Sequence, residues 1–210
     1  MNMYPERDEK TMAQVSLKNL VIAPLNAESA GSAPTYTAGH KVGHLMKANI
    51  SWNRGDVKLY GDDKLVDKDN SVTSGTLSID TTYLSRTDLT TLFDIAASNT
   101  PGSGETQEYA LGDQASPYVG VGYVWKDNLK SSTPYTAYWY YKVQFSMNEE
   151  METKGESTQY KQPTIEGTVF AVQPLANLSN KFRLEADFAT ETAAIAWLNA
   201  KAGITSQGAG

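Results

Sequence analysis

Two histidines, His40 and His44, are the only ones in the chain, and a spacing of four can set two imidazoles on one helical turn as half of a zinc site. Gly39 and Gly43 flank them, no Glu stands between them, and no helical period surrounds them, so the pair reads as a loop or a strand end. Glu149, Glu150 and Glu152 offer the paired carboxylates of a glycoside hydrolase, but adjacent acids on a turn read first as a solvated loop. The chain has no Cys, which removes thiol catalysis, thiolate zinc sites and disulfides. A Ser–His–Asp triad stays open, but there is no G-x-S-x-G elbow to carry its nucleophile. Gly120 and Gly122 begin a G-x-G that lacks its third Gly, and read as a strand that another backbone approaches closely. Trp139, Tyr140 and Tyr141 can stack on sugars or bases, yet a strand with Trp139 and Tyr141 inward reads as core. Asn49-Ile50-Ser51 and Asn177-Leu178-Ser179 match the glycosylation acceptor, but residues 1–14 (MNMYPERDEKTMAQ) carry no apolar h-region, so no secretory route is expected. No catalytic constellation results, and no enzyme, metal or cofactor is expected.

The elements that would position any such group are mostly strands. Met46, Ala48, Ile50 and Trp52 alternate with Lys47, Asn49 and Ser51. Leu77, Ile79 and Tyr83 alternate with Thr76, Ser78, Asp80 and Thr82. Trp139, Tyr141, Val143 and Phe145 stand opposite Tyr140, Lys142 and Gln144, and Phe182, Leu184, Ala186 and Phe188 opposite Arg183, Glu185 and Asp187. Period two marks half-buried strands. Leu17–Ala23, Tyr118–Trp125 and Thr164–Val172 are less regular strand candidates. Ser85–Ala97 reads as a helix, with Ser85 as N-cap, Asp88 closing a capping box, and Leu89, Leu92, Phe93 and Ala96 as its stripe. A second helix runs over Glu191–Ala202, where Ala194, Trp197 and Leu198 share a face and Gly203 stops it.

The 210 residues suffice for one large domain, and the 40% hydrophobic and 20% charged content fits a globular chain. A net charge of −6 argues against a nucleic-acid binder with a basic stripe and against a polybasic membrane anchor. No apolar run reaches the roughly 18 residues of a spanning helix, so a soluble protein is expected. Three long polar excursions stand out: Asn53–Ser74, Ser98–Ser116 and Asn148–Gln162. The first looks like a hairpin projecting from the body, with Val57, Leu59, Tyr60, Leu65 and Val66 around a Gly61-Asp62-Asp63 turn. An isolated two-stranded hairpin is marginal in water, so those apolar residues need a surface. Such excursions favour a binding or assembly protein over an enzyme.

Several stretches together resemble the major tail tube proteins of long-tailed, non-contractile bacteriophages. They are Val15–Leu20, Leu59–Asp80 (LYGDDKLVDKDNSVTSGTLSID), Leu84–Ile95, Pro117–Trp125, Tyr138–Gln144 (YWYYKVQ) and Glu152–Phe170 (ETKGESTQYKQPTIEGTVF). Their order and spacing carry the likeness, across residues 15–172. It implies a mainly β fold of two packed β-sheets, sandwich- or barrel-like, with a flanking α-helix, a long projecting hairpin and a C-terminal helical extension. The implied organisation is a flexible arm over 1–14, a tail-tube β domain over 15–172, and a C-terminal strand and helix over 173–210 with a disordered end.

The resemblance implies a structural virion protein of the tail, assembled in the host cytoplasm. Homohexameric rings stack head to tail into a tube, the conduit for genomic DNA, which passes without specific binding. The other implied partners are a tape-measure protein, a tail terminator and tail-tip proteins, with no membrane. Each subunit contributes four strands to an inner barrel. Six subunits with strands spaced about 4.8 Å and tilted about 40° give a backbone diameter of roughly 48 Å, wide enough for duplex DNA. An acidic or neutral wall lets such cargo slide. The best lumen candidates are the polar second faces, Lys47, Asn49, Ser51, Thr76, Ser78, Asp80 and Thr82. The ring-stacking candidates are the hairpin residues Asp56, Val57, Leu59, Tyr60, Asp62, Asp63, Leu65, Val66 and Asp67. The competing readings are a monomeric carbohydrate-binding or adhesion β-sandwich, suggested by twelve Tyr and four Trp, and a hydrolase using the clustered Glu.

Overall fold

Period-two alternation becomes a large antiparallel sheet in the computed structural model, which describes residues 15–61, 64–97, 109–110, 115–128, 130, 132–146, 163–174 and 181–204. The arm 1–14, Asp62 and Asp63, most of the 98–116 excursion, the acidic 148–162 loop with Glu149, Glu150 and Glu152, and residues 205–210 lie outside them. The strands are β1 (Val15–Ala27), β2 (Thr35–Tyr36), β3 (His40–Lys41), β4 (Leu45–Arg54), β5 (Val57–Gly61), β6 (Lys64–Asp69), β7 (Val72–Thr81), β8 (Ala96–Ala97), β9 (Tyr109–Ala110), β10 (Tyr118–Asp127), β11 (Tyr135–Ser146), β12 (Thr164–Val169) and β13 (Arg183–Phe188). The helices are α1 (Arg86–Phe93) and α2 (Glu191–Ala202). Among the described residues nine strands join in the order β2-β1-β10-β11-β12-β7-β4, with β3 also on β1 and β13 also on β11. The fold is mainly β, as expected.

The sandwich-like form comes from β11. Its first half pairs with β13 and its last residues with β12, on the same edge. One layer is therefore β1, β10, the first half of β11 and β13; the other is the end of β11, β12, β7 and β4. Leu20, Ile22, Val119, Val121, Tyr123 and Tyr140 of the first layer share one core with Leu77, Ile79, Val143, Phe145, Ile165 and Val169 of the second. Leu92 and Phe93 of α1 join the same core. A second cluster lies on the outer side of the first layer, where Val21, Ala23, Val124, Ala137, Trp139 and Tyr141 meet Ala194, Leu198 and Ala202 of α2.

Bulges correct the facial readings. Val119 pairs with Val143 but Val121 with Tyr140, so β11 carries one residue more than β10 there. Such an extra residue reverses which side chains face inward. Trp139 and Tyr141 therefore pack under α2 while Val143 and Phe145 enter the inner core, although alternation put all four on one face. A shift between Leu45 and Lys47 likewise turns Met46 outward, 44% exposed, and leaves Leu45 buried. Tyr83, expected inward, lies beyond the end of β7 and is exposed. Asn19, at φ 54°, sits in a third irregularity, between Lys18 and Val21 of β1.

The first helix begins at its expected cap, and the second at one that the sequence reading did not name. Ser85 and Asp88 form the reciprocal capping box, and Thr190 caps α2. α2 ends at Gly203 in the left-handed region, as its sequence demands. α1 stops earlier than expected, because Asp94 turns left-handed at φ 57°, and Ala96 enters β8 instead of extending the stripe. The C-terminal strand and helix stand where the sequence placed them and are built into the body: β13 pairs along Tyr135–Tyr140 and α2 roofs the outer cluster.

Candidate functional site

The outer face of the second layer has no roof among the described residues. Apart from Met46 at the start of β4, its outward positions in the ladder are polar, because β4, β7 and β12 each alternate. Register brings them into rungs. Lys47 stands opposite Asp80, and Asp80 opposite Thr164. Asn49, Ser78, Glu166 and Ser146 form a second rung, and Ser51, Thr76, Thr168 and Gln144 a third. On the buried side of the same strands lie Leu77, Ile79, Ile165 and Val169. The seven lumen candidates thus fall together except for Thr82, which has left β7. Its backbone N–H donates to His44 O at 3.0 Å and its Oγ1 accepts from His44 N at 3.1 Å.

Sequence reading missed five members of this face. Thr164, Glu166 and Thr168 alternate with Ile165, Gly167 and Val169, a signal present in the sequence. Gln144 and Ser146 join only through pairing with β12. The charged members are Lys47, Asp80 and Glu166, so the face is hydroxyl-rich with a small acidic excess. Asp80 Oδ1 accepts from Thr164 Oγ1 at 2.7 Å, and Asn53 Nδ2 donates to Ser74 Oγ at 3.0 Å. Nothing here forms a nucleophile–base pair; the surface offers weak, replaceable hydrogen bonds.

The hairpin continues this layer. β5 and β6 pair with each other as a separate two-stranded sheet beyond the Arg54 end of β4. The step between them is pinned by Gly55 N–H to Ser71 O at 2.8 Å and by the Arg54 guanidinium on Asn70 O. Lys58 and Lys68 are directly opposed, a like-charge pair that Asp56 bridges at 3.2 and 2.9 Å. Hydrogen bonds from Lys68 and Lys58 hold the Asp56 carboxyl below its ordinary range. Val66 is 64% exposed and Asp67 is exposed. For Val57, Leu59, Tyr60 and Leu65 the strand placement is the finding.

The other motifs resolve as structure. His40 lies in β3 and His44 just before β4. His40 Nε2 sits 2.9 Å from Oδ1 of the buried Asp88, whose Oδ2 accepts from Ser85 N and Oγ, both at 2.7 Å. Ser, Asp and His do meet, but with the carboxylate in the middle; a triad needs the imidazole there to take the hydroxyl proton. The group caps α1 and ties it to β3. Gly120 and Gly122 make room for the Trp139 ring, which a Cβ at either would strike, and at Gly122 the Tyr138 carbonyl of the neighbouring strand also comes close, as expected. Trp139 and Tyr140 are fully buried and Tyr141 nearly so. Among the described residues no three His, Cys, Asp or Glu gather as metal ligands, and no helix is long and apolar enough to cross a membrane. No protein-family model matches the chain, and a search of curated proteins returns no match.

Proposed function

We propose that the chain is a self-assembling structural subunit whose stacked hexameric rings form the tail tube of a long-tailed bacteriophage, a conduit for the genome. The observation that carries this reading is the four-stranded polar face of β4, β7, β12 and the end of β11, backed by an apolar core and, among the described residues, without a roof. It supplies the four strands per subunit that the resemblance implies. Its Ser and Thr hydroxyls and slight acidic excess suit a wall along which a polyanion slides, since releasing condensed counterions would demand a run of cations. The wall also needs tape-measure, terminator and tip proteins as partners, and no cofactor. Trp139, Tyr140 and Tyr141 are buried and offer no stacking platform themselves, while Tyr83, Tyr109 and Tyr118 are exposed.

Negative-stain microscopy of the concentrated protein is the direct test. Rings or tubes are expected; a stable monomer that binds glycans would establish the rival. A sharper test replaces Asp80 and Glu166 by Lys in the virion. Tubes should form and DNA ejection should slow at low salt, and unchanged ejection would remove this face from the lumen.

A further inference from the structure

A groove of about 270 Å³ opens between β1, the β3–β4 turn and the start of α2. Leu17, Leu45 and Ile195 give it an apolar wall, and Asn19, Lys41 and His44 border it with polar groups. Lys18 and Glu191 also line it, but they pair with each other at 2.9 Å and cancel. Lys41 and His44 are exposed, and among the described residues neither side chain has a hydrogen bond or an ion pair. One unspent positive charge therefore stands beside an apolar wall.

Asn19 is the unusual member. Its backbone lies in the left-handed region at φ 54°, which Asn adopts more readily than most residues. Its Nδ2 is buried with no hydrogen-bond partner, one of two such side-chain atoms among the described residues. The other, Trp139 Nε1, belongs to the cluster under α2. Buried donors are nearly always met, so an orphan calls for a reason. Backbone strain, too, gathers where a ligand is clamped. The terminal amide torsion is soft, so a modest turn presents this N–H to the groove.

The frame is fixed before anything binds. Val42 N–H donates to Leu20 O at 2.9 Å and Thr82 N–H to His44 O at 3.0 Å, which pins the β3–β4 turn on both sides. Between them Gly43 has no room for a Cβ, which would meet Tyr83 O at 2.7 Å. A preformed concavity with an apolar wall and a few placed polar groups is how small ligands are held.

We propose that the groove binds a small organic carboxylate with an apolar tail of a few carbons. The tail lies on Leu17, Leu45 and Ile195. The carboxylate meets the Lys41 ammonium and accepts from the Asn19 amide and a His44 ring N–H. One unpaired Lys matches one negative charge, whereas a phosphate would ask for more. The volume falls below the roughly 300–1,000 Å³ of pockets for drug-sized molecules, which sets the size of the ligand. Nothing in this site requires assembly.

Hexanoate is the probe, followed by saturation-transfer NMR on the full chain, a readout that serves monomer, ring or tube alike. Transfer to its methylenes should saturate. Hexanol has the tail without the charge and acetate the charge without the tail, and each should bind about tenfold more weakly or worse. Asn19→Gly keeps the left-handed backbone and removes the amide, and Lys41→Gln removes the charge. Each should weaken hexanoate about tenfold with circular dichroism unchanged, while Lys47→Gln on the open face should leave binding as it is. No saturable transfer, equal binding of hexanol and hexanoate, or full affinity in both Asn19→Gly and Lys41→Gln would overturn the site. A short peptide ending in Leu that binds far tighter than hexanoate, and loses the gain on C-terminal amidation, would give the groove to a protein terminus and overturn the small-molecule assignment.

Discussion

The two layers share one core and differ in what lies outside it. Outside β1, β10 and β11 the outward residues are Val21, Ala23, Val124, Ala137, Trp139 and Tyr141, and α2 covers them. Outside β4, β7 and β12 the outward residues, Met46 apart, are Lys, Asn, Ser, Thr, Asp and Glu, and no described element covers them. Backbone pairing is equivalent on both sides, so the difference comes from side chains. Apolar outward positions must recruit a lid to leave water, whereas hydroxyls and amides are already satisfied by water. A face kept polar along three successive strands is therefore available for other work.

Breaking the covered face should cost the most. Trp139→Ala removes a fully buried indole seated over Gly120 and Gly122 and should lower unfolding free energy by about 3–5 kcal/mol in urea titration. A loss under about 1 kcal/mol would mean that α2 is an ornament and the two faces are alike. On the inner core, Phe93→Ala at α1 should cost a similar about 3–5 kcal/mol, since Phe93 is 5% exposed.

The border between the faces is set by Lys142, just past the β11 irregularity. Its Nζ donates to Glu28 Oε2 at 2.7 Å, and Glu28 Oε1 accepts from Gln173 N at 2.7 Å. Burial by itself raises the Glu28 carboxyl, but these hydrogen bonds and the Lys142 charge outweigh it and hold the group below its ordinary range. A depressed folded-state value means stability that is present above the unfolded carboxyl value and lost as pH falls through the folded one. Glu28→Gln should cost about 1.5–3 kcal/mol at neutral pH. The gap between variant and parent should close on titrating into the acid range below about pH 4, and a gap that stays constant would show the clamp is not ionic.

The open face should be the most tolerant. Thr76→Ala or Ser78→Ala should change stability by no more than about 0.5 kcal/mol, because neither side chain reaches the core. A loss above about 1.5 kcal/mol from either would show that something does cover this face and would dissolve the contrast.

Local physics was legible in the sequence. The caps at Ser85, Asp88 and Gly203 and the alternation of β4, β7 and β13 depend on neighbours within a few residues; α2 and β13 stand where that reading placed them, while α1 and β7 end earlier than read. The polar faces Lys47, Asn49, Ser51 and Thr76, Ser78, Asp80 followed from two alternations, and strand pairing then set them opposite one another. What tertiary structure alone decided is parity and company. A bulge exists only relative to a partner strand, so the one-residue excess near Tyr141–Lys142 could not be seen in YWYYKVQ, although it sends Trp139 and Val143 to different cores. Gln144 and Ser146 join the polar face through β12, some twenty residues onward. Composition and period say how a segment divides its own two faces; long-range hydrogen bonding chooses which segments share a face, and the choice of α2 to lie on one side leaves the other to water.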